Sequence, residues 1–115
     1  DIMQSTSVYK LLTEEDWLAA EAVGHTLSAI DLTDGYVHLS TRAQLPGTAA
    51  RYFTGRGRVR LLKFDSESLS PLRWEPSRGG DIFPHLYAPL EIDRAVASWW
   101  LEPGQDGALP LPEDI

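Results

Sequence analysis

The sequence predicts a single α+β domain, in which two helices lie near the N-terminus and the remaining elements are mostly strands. Three observations predict this class. The first two are helix-capping patterns, one near the start of the chain and one in the middle, each directly after a strand-like run. The third is that the later segments have the pattern of short strands separated by turns. Helices early and strands late are typical of α+β rather than α/β proteins.

The first half of the chain is predicted to alternate strands and helices. A strand, a helix, a loop, a strand and a helix are expected, in this order, at residues 8–12, 13–24, 25–35, 36–40 and 41–54. Thr13 suits the N-cap of the first helix because Asp16 follows it three residues later, and Gly24 is a natural end for that helix. Thr41 and Gln44 form the same capping arrangement before the second helix.

The second half is predicted to consist of strands in mixed sheets. These strands are expected near residues 58–65, 72–75, 83–90 and 95–101. Because no internal repeat or linker is visible, residues 1–115 are predicted to form one domain. Its core is expected at about 8–101, followed at 103–115 by an acidic tail, rich in proline and glycine, that lies on the surface or is loose.

Composition excludes several classes of function. The chain has no cysteine, so disulfide scaffolds, thiolate metal sites and cysteine nucleophiles are ruled out. The net charge of −7 argues against a nucleic-acid phosphate binder. No apolar run approaches the roughly 18 residues of a membrane span, and no signal peptide is visible. We therefore expect a cytoplasmic protein with no membrane and no nucleic acid among its partners.

Positive charge is concentrated in the middle of this acidic chain. The basic residues concerned are Arg42, Arg51, Arg56, Arg58, Arg60 and Lys63. Such a pattern has two interpretations, a solvated face or a local site for an anion, and the pattern alone favours the solvated face.

The first of two histidine motifs lies on the strand predicted at 36–40. Because side chains repeat every second residue on a strand, Tyr36, His38 and Ser40 share one face, and Val37 and Leu39 face the core. This one-sided polarity is typical either of a wet sheet surface or of the floor of a cleft. We expect the cleft, with His38 lining a pocket.

The second histidine motif lies on the strand predicted at 83–90. His85 and Tyr87 share one face there, and Leu86 points to the other. The alternative is a structural histidine whose ring nitrogens bond backbone carbonyls near Pro84. We predict that His38 and His85 belong to the same site, although they are far apart in the chain.

Several common catalytic and binding motifs do not occur. The three histidines are widely separated and lack metal-ligand spacing, so no metal site is expected. Gly55 and Gly57 follow a helix rather than a strand, which excludes a dinucleotide-binding fingerprint. Ser40 beside His38 does not form a catalytic triad by itself.

The two histidine motifs, in this order, resemble the domain-of-unknown-function 952 family. The matching segments are Val8-Tyr9-Lys10-Leu11, Gly35-Tyr36-Val37-His38-Leu39-Ser40-Thr41, Leu61-Leu62-Lys63-Phe64-Asp65 and Phe83-Pro84-His85-Leu86-Tyr87-Ala88-Pro89-Leu90. The resemblance covers about residues 8–101.

The stretch from Val8 to Thr41 also resembles the beginning of the ADP-ribosyltransferase fold, as found in RNA 2′-phosphotransferases. This resemblance implies a split pair of small mixed sheets with a cleft between them for a nicotinamide dinucleotide, which makes NAD a candidate cofactor. It places Tyr9 and Lys10 at the start of the cleft. Lys10 stands where those enzymes carry a histidine, and Phe83 stands where they carry the catalytic glutamate.

These departures leave two other carboxylates near the implied centre, Glu75 and Asp81, which are able to stabilise an oxocarbenium-like charge. The candidate catalytic residues are therefore His38, His85 and Glu75. The candidate ligand-binding residues are Tyr9, Lys10, Tyr36, Ser40, Thr41, Asp81 and Tyr87.

Three hypotheses about function follow. In the first, the cleft binds a nucleotide-like or other anionic small molecule, with transferase-like chemistry: the tyrosines stack on it, Lys10 meets its negative charge, and His85 is a polar contact or an acid–base group. In the second, the domain is a non-catalytic interaction module anchored by Trp99 or Trp100. In the third, it is a biosynthetic enzyme that uses the cleft without a dinucleotide. The sequence leaves the oligomeric state open.

Overall fold

The computed structural model describes residues 6–115, and over these residues the chain forms three α-helices and seven strands. The elements are β1 (Ser7–Thr13), α1 (Glu14–Val23), α2 (Ala29–Asp34), β2 (Val37–His38), β3 (Ser40–Thr41), α3 (Leu45–Tyr52), β4 (Val59–Asp65), β5 (Leu72–Pro76), β6 (Ile82–Leu86) and β7 (Ala97–Leu101). Residues 1–5, included in the predicted domain, lie outside the described part. The predicted α+β class is confirmed.

The strands form two sheets. The first sheet has the order β3-β1-β4-β7, and the second has the order β2-β6-β5. The prediction of mixed sheets is wrong, because every strand pair in both sheets is antiparallel. The pattern of side chains identifies a strand but carries no information about the direction of its neighbour.

The strand predicted at 36–40 is divided between the two sheets. β2 pairs with β6 in the second sheet, and β3 pairs with β1 in the first. Leu39 lies between them, and its N–H donates to the carbonyl of Pro84, 3.1 Å away. One continuous segment therefore joins the two sheets, which diverge from it on either side.

The first predicted helix has the expected ends. The hydroxyl of Thr13 accepts a hydrogen bond from the N–H of Asp16, and α1 ends at Gly24, whose φ of 95° is readily adopted by glycine. The second predicted helix begins later than expected, at Leu45. Thr41 and Gln44 do make the reciprocal capping bonds, at 3.0 and 3.2 Å, but they enclose a turn that precedes α3.

The prediction of only two helices is wrong, because the segment expected to be a loop at 25–35 contains α2. This helix has six residues and is followed by Gly35, with a φ of 86°. A helix of fewer than two turns is too short for the period of 3.6 residues to be visible in the sequence. Its one buried residue is polar, Asp31.

The first sheet is buried on both faces. One face of β1 and β4 packs against the second sheet through Val8, Leu12, Leu62, Phe64, Val37, Leu39 and Leu86. The other face packs against α3 through Tyr9, Leu11, Leu45, Ala49, Val59 and Leu61. Burial on both faces explains the imperfect alternation of apolar residues in β4. In the C-terminal tail, Leu109, Leu111 and Ile115 pack against the same residues on the α3 side of the first sheet.

Candidate functional site

A cavity of about 330 Å³ lies where the two sheets diverge. Five of the residues predicted for the site line it: Tyr9, Lys10, His38, Ser40 and His85. Its walls also include apolar side chains, among them Leu11, Leu39, Phe53 and Phe83. The volume is at the lower end of the range found for small-molecule sites.

The two histidines are neighbours in this cavity. His38 on β2 lies directly opposite His85 on β6 in the antiparallel register, and their ring centroids are 5.5 Å apart. Both line the cavity, so the geometric expectation that they share one site agrees with the structure. Their chemical roles stay predictions.

His38 is held by two carboxylates. Its Nδ1 lies 2.6 Å from Oδ1 of Asp31, and its Nε2 lies 3.0 Å from Oδ2 of Asp34. Asp31 is buried, whereas the side chain of Asp34 is 38% exposed. Because both ring nitrogens are occupied, His38 can present a ring N–H to a ligand only by releasing one carboxylate, and the exposed Asp34 is the easier one to release.

Asp31 also binds Lys10. The ammonium group donates to Oδ2 of Asp31 at 2.8 Å and to the carbonyl of His38 at 3.1 Å. Burial by itself raises the pKa of the Asp31 carboxyl, but the hydrogen bond from His38 and the charge of Lys10 outweigh it, so that the pKa lies below the ordinary 3.8. The positive charge of Lys10, predicted to meet a ligand, is thus already compensated within the protein.

His85 has one occupied and one unoccupied nitrogen. Its side chain is 2% exposed, and its Nδ1 lies 2.8 Å from Oε1 of Glu75. Its Nε2 is buried and has no hydrogen-bond partner among the described residues. The alternative predicted for this histidine, bonds to backbone carbonyls beside Pro84, is not what the structure shows, because the partner of Nδ1 is a side-chain carboxylate.

Glu75 fixes the state of the His85 ring. The carboxylate also accepts a hydrogen bond from the hydroxyl of Tyr87 at 2.7 Å. The bonds from His85 and then from Tyr87 lower the pKa of Glu75 below its ordinary value, and the bond to Glu75 raises the pKa of Tyr87. Since an ionised carboxylate only accepts hydrogen bonds, the proton between the two groups lies on Nδ1, and Nε2 of the neutral ring is an acceptor.

Tyr36 and Tyr87 lie beside the cavity rather than in its lining. The ring centroid of Tyr36 lies 4.7 Å from the ring centroid of His38, 4.2 Å from that of His85 and 5.1 Å from that of Tyr87. Burial, followed by the charges of Asp34 and Glu75, raises the pKa of Tyr36. These aromatic side chains support the imidazole rings along the polar face of the second sheet.

The remaining candidates have structural or peripheral positions. Glu75 lies outside the cavity lining and acts on it through His85. Thr41 makes the capping bonds before α3, and the hydroxyl of Ser40 lies 3.1 Å from that of Thr48. Asp81 is exposed and outside the cavity lining.

Sequence reasoning missed Asp31 and Asp34 as candidates, and it named Arg56 only as a member of the basic cluster. Asp31 and Asp34 lie in the segment predicted to be a loop, and their acidic side chains close to a histidine motif were the available signal. Arg56 lines the cavity and is exposed. It lies between Gly55 and Gly57, both with positive φ, and within the described residues it makes no ion pair.

Arg58 and Arg60, two further arginines of the basic cluster, lie outside the cavity lining. The guanidinium of Arg58 stacks 3.9 Å from the ring centre of Trp100 and pairs with Glu14, and Arg60 lies over Trp17 and Trp100. Burial lowers the pKa of Arg60. Trp100 is therefore half-buried beneath arginines, and Trp99 packs against the core, so neither indole is a fully exposed anchor.

Two further findings concern the described residues 6–115. None of their helices is long and apolar enough to span a membrane. No group of three or more His, Asp or Glu side chains in this part of the chain is arranged to hold a metal ion.

Comparison with known proteins gives a family and a set of similar structures. The model of the family described as "Protein of unknown function (DUF952)" matches residues 11–98, which confirms the resemblance to that family. Protein CC0527 from Caulobacter crescentus, a structural genomics target, has a sequence 42% identical to this chain. Its crystal structure aligns with 92% of this chain and 95% of CC0527, with a TM-score of 0.85. Its solution NMR structure has a TM-score of 0.77, with 89% and 90% coverage. No curated protein sequence matches significantly.

Proposed function

The chain belongs to the DUF952 family, whose description assigns no activity, and we propose that its cavity binds a nucleotide-like or other anionic small molecule in a cleft of the ADP-ribosyltransferase type. The observation that carries this proposal is the composition of the cavity lining, in which apolar side chains stand together with His38, His85 and the exposed Arg56. Apolar walls with a few polar or charged groups are typical of small-molecule sites.

The lining is consistent with this class of ligand. Leu39, Phe53 and Phe83 offer apolar contact to a planar group, while Arg56 offers a positive charge at the exposed end. A planar apolar body with an anionic substituent therefore finds complementary groups in one cavity. The position of the cavity between the two sheets, beside Tyr9 and His38, agrees with the place that the transferase resemblance implies.

The fit to a complete dinucleotide is poor. About 330 Å³ is small for two linked nucleotides, and Glu75 is bound to His85 and Tyr87 outside the lining instead of facing a ribose. The cavity suits one nucleotide-sized moiety rather than a complete dinucleotide.

A second candidate function is an acid–base enzyme that acts without a dinucleotide. It is favoured by the Glu75–His85 pair, because a histidine whose Nδ1–H is held by a carboxylate presents a basic Nε2 to a bound molecule. In this proposal His85 removes a proton from the ligand and Glu75 holds the ring.

The proposal is tested by thermal shift and calorimetry with nucleosides, mononucleotides, NAD and mixtures of anionic metabolites. A ligand at ten times its Kd adds about 1.4 kcal/mol of stability and raises Tm by several degrees. His85→Gln should weaken binding, whereas the matched variant His25→Gln, outside the cavity, should not. Absence of binding for the whole panel at millimolar concentration, or an equal effect of both variants, contradicts the proposal.

A further inference from the structure

We infer that the anionic ligand of the cavity also carries a cationic amino group, so that Arg56 and Asp16 bind the two charges of one zwitterionic molecule. This inference rests on the proposed function and specifies the charge of its ligand. It follows from one relationship: an acidic and a basic side chain line the same cavity, and neither makes an ion pair within residues 6–115.

The lysine, aspartate and arginine of the lining differ in whether their charge is compensated. Lys10 pairs with buried Asp31, which accounts for its positive charge inside the protein. Asp16 and Arg56 pair neither with each other nor with any other side chain in the described part of the chain. The lining therefore presents one positive and one negative charge that a bound molecule can compensate.

The carboxylate of Asp16 is the group that a purely anionic ligand leaves unexplained. The residue is half-buried, and its N–H donates to the hydroxyl of Thr13 at 3.2 Å, which fixes it in the first turn of α1. Its carboxylate has no hydrogen-bond partner among residues 6–115. A carboxylate that has lost part of its water gains from a charged donor such as an ammonium group, whereas a ligand with negative charge alone is repelled by it.

Asp16 has an alternative role, because acidic residues in the first turn of a helix interact favourably with the helix dipole. Glu14 and Glu15 lie in the same turn, but both are exposed and outside the cavity lining. Glu15→Gln removes the same charge from the same end of α1. This variant therefore separates an effect on the helix from an effect on the ligand.

The apolar part of the lining determines the body of the ligand. Leu11, Leu39, Phe53 and Phe83 line the cavity together with the two charged side chains. Aromatic and aliphatic walls of this kind suit a planar apolar group. The ligand class is therefore an aromatic molecule that bears both an amino group and an acidic group.

The test measures dissociation constants by calorimetry for two matched series of probes. Tryptophan carries both charges, tryptamine lacks the carboxylate, and indolepropionate lacks the amine. In the second series para-aminomethylbenzoate holds the charges farther apart, and para-methylbenzylamine and para-toluate each keep one of them. We expect the wild-type chain to bind at least one zwitterion roughly fivefold more tightly than both of its singly charged counterparts.

Variants assign the two charges to their partners. Asp16→Asn should reduce the advantage of the zwitterion over the anionic counterpart to about twofold or less, without weakening the anionic counterpart itself. Arg56→Gln should do the same to the advantage over the amine. Glu15→Gln and Arg51→Gln, at exposed positions outside the cavity lining, should retain both advantages.

The outcomes separate this inference from the proposed function. Absence of binding for both zwitterions at millimolar concentration, or no preference for a zwitterion over its anionic counterpart, overturns the inference without any variant. Equal effects of Asp16→Asn and Glu15→Gln also overturn it. If mononucleotides or another purely anionic molecule bind while both zwitterions fail, the inference is wrong and the proposed function stands.

Discussion

His38 and His85 lie directly opposite each other on two antiparallel strands, yet their imidazole rings differ in the number of nitrogens that have a hydrogen-bond partner. Both nitrogens of His38 bind carboxylates, whereas His85 has Nδ1 bound to Glu75 and Nε2 without a partner in the described part of the chain. The first ring is thus held at both nitrogens, and the second at one.

The first prediction concerns the tautomer of His85. Because Glu75 holds the proton on Nδ1, ¹⁵N-detected spectra of the histidine rings should show His85, when neutral, with a protonated Nδ1 and an unprotonated Nε2. In Glu75→Ala the two tautomers should become comparable in population. A wild-type ring protonated on Nε2 alone would contradict the assignment of the Nδ1 proton to the bond with Glu75.

The second prediction concerns the buried carboxylate. Asp31→Asn should lower the free energy of unfolding by about 3–5 kcal/mol, because it leaves the buried ammonium group of Lys10 without its ion-pair partner. Asp34→Asn is the matched control on the same helix. Since Asp34 is partly exposed, its loss should cost no more than about 1 kcal/mol. Urea denaturation measures both, and equal losses would contradict the prediction.

The third prediction concerns pH. The pKa of Asp31 is lower in the folded chain than its ordinary 3.8, so the unfolded chain binds the proton more readily. The stability that this group contributes is therefore present above about pH 4 and is lost as the pH falls through the folded pKa. Urea denaturation at several pH values from 6 downward should show this loss, and Asp31→Asn should reduce it. Identical pH dependence in the two chains would be the contrary result.

The fourth prediction separates binding from stability. His85→Ala should weaken the ligand by a hydrogen bond's worth, about 0.5–1.5 kcal/mol for a neutral group and more for a charged one, and His38→Ala should do the same through the ring N–H that Asp34 releases to the ligand. Leu61→Ala, at a fully buried position of β4, should instead destabilise the fold by about 2–5 kcal/mol. Calorimetry and denaturation distinguish the two effects. If either histidine variant is destabilised as strongly as Leu61→Ala and shows no specific binding defect, that histidine is a structural brace.

Much of the fold could be predicted from local patterns. Thr13 and Gly24 are at the ends of α1 as expected, because capping depends on residues within a few positions of each other. Val37 and Leu39 are buried, in agreement with the alternation of side chains on a strand. Short helix α2 was missed because six residues do not establish a helical period.

What the sequence determined by itself was the α+β class, the family, and the two histidine motifs that mark the site, since each depends on residues close together in the chain. The tertiary structure alone decided which groups meet across long separations. In the folded chain Lys10 pairs with Asp31, and the two ring nitrogens of His38 bind Asp31 and Asp34. Glu75 binds His85. Partners of this kind depend on strand register and on the packing of α2, and neither is encoded in the spacing of any local motif.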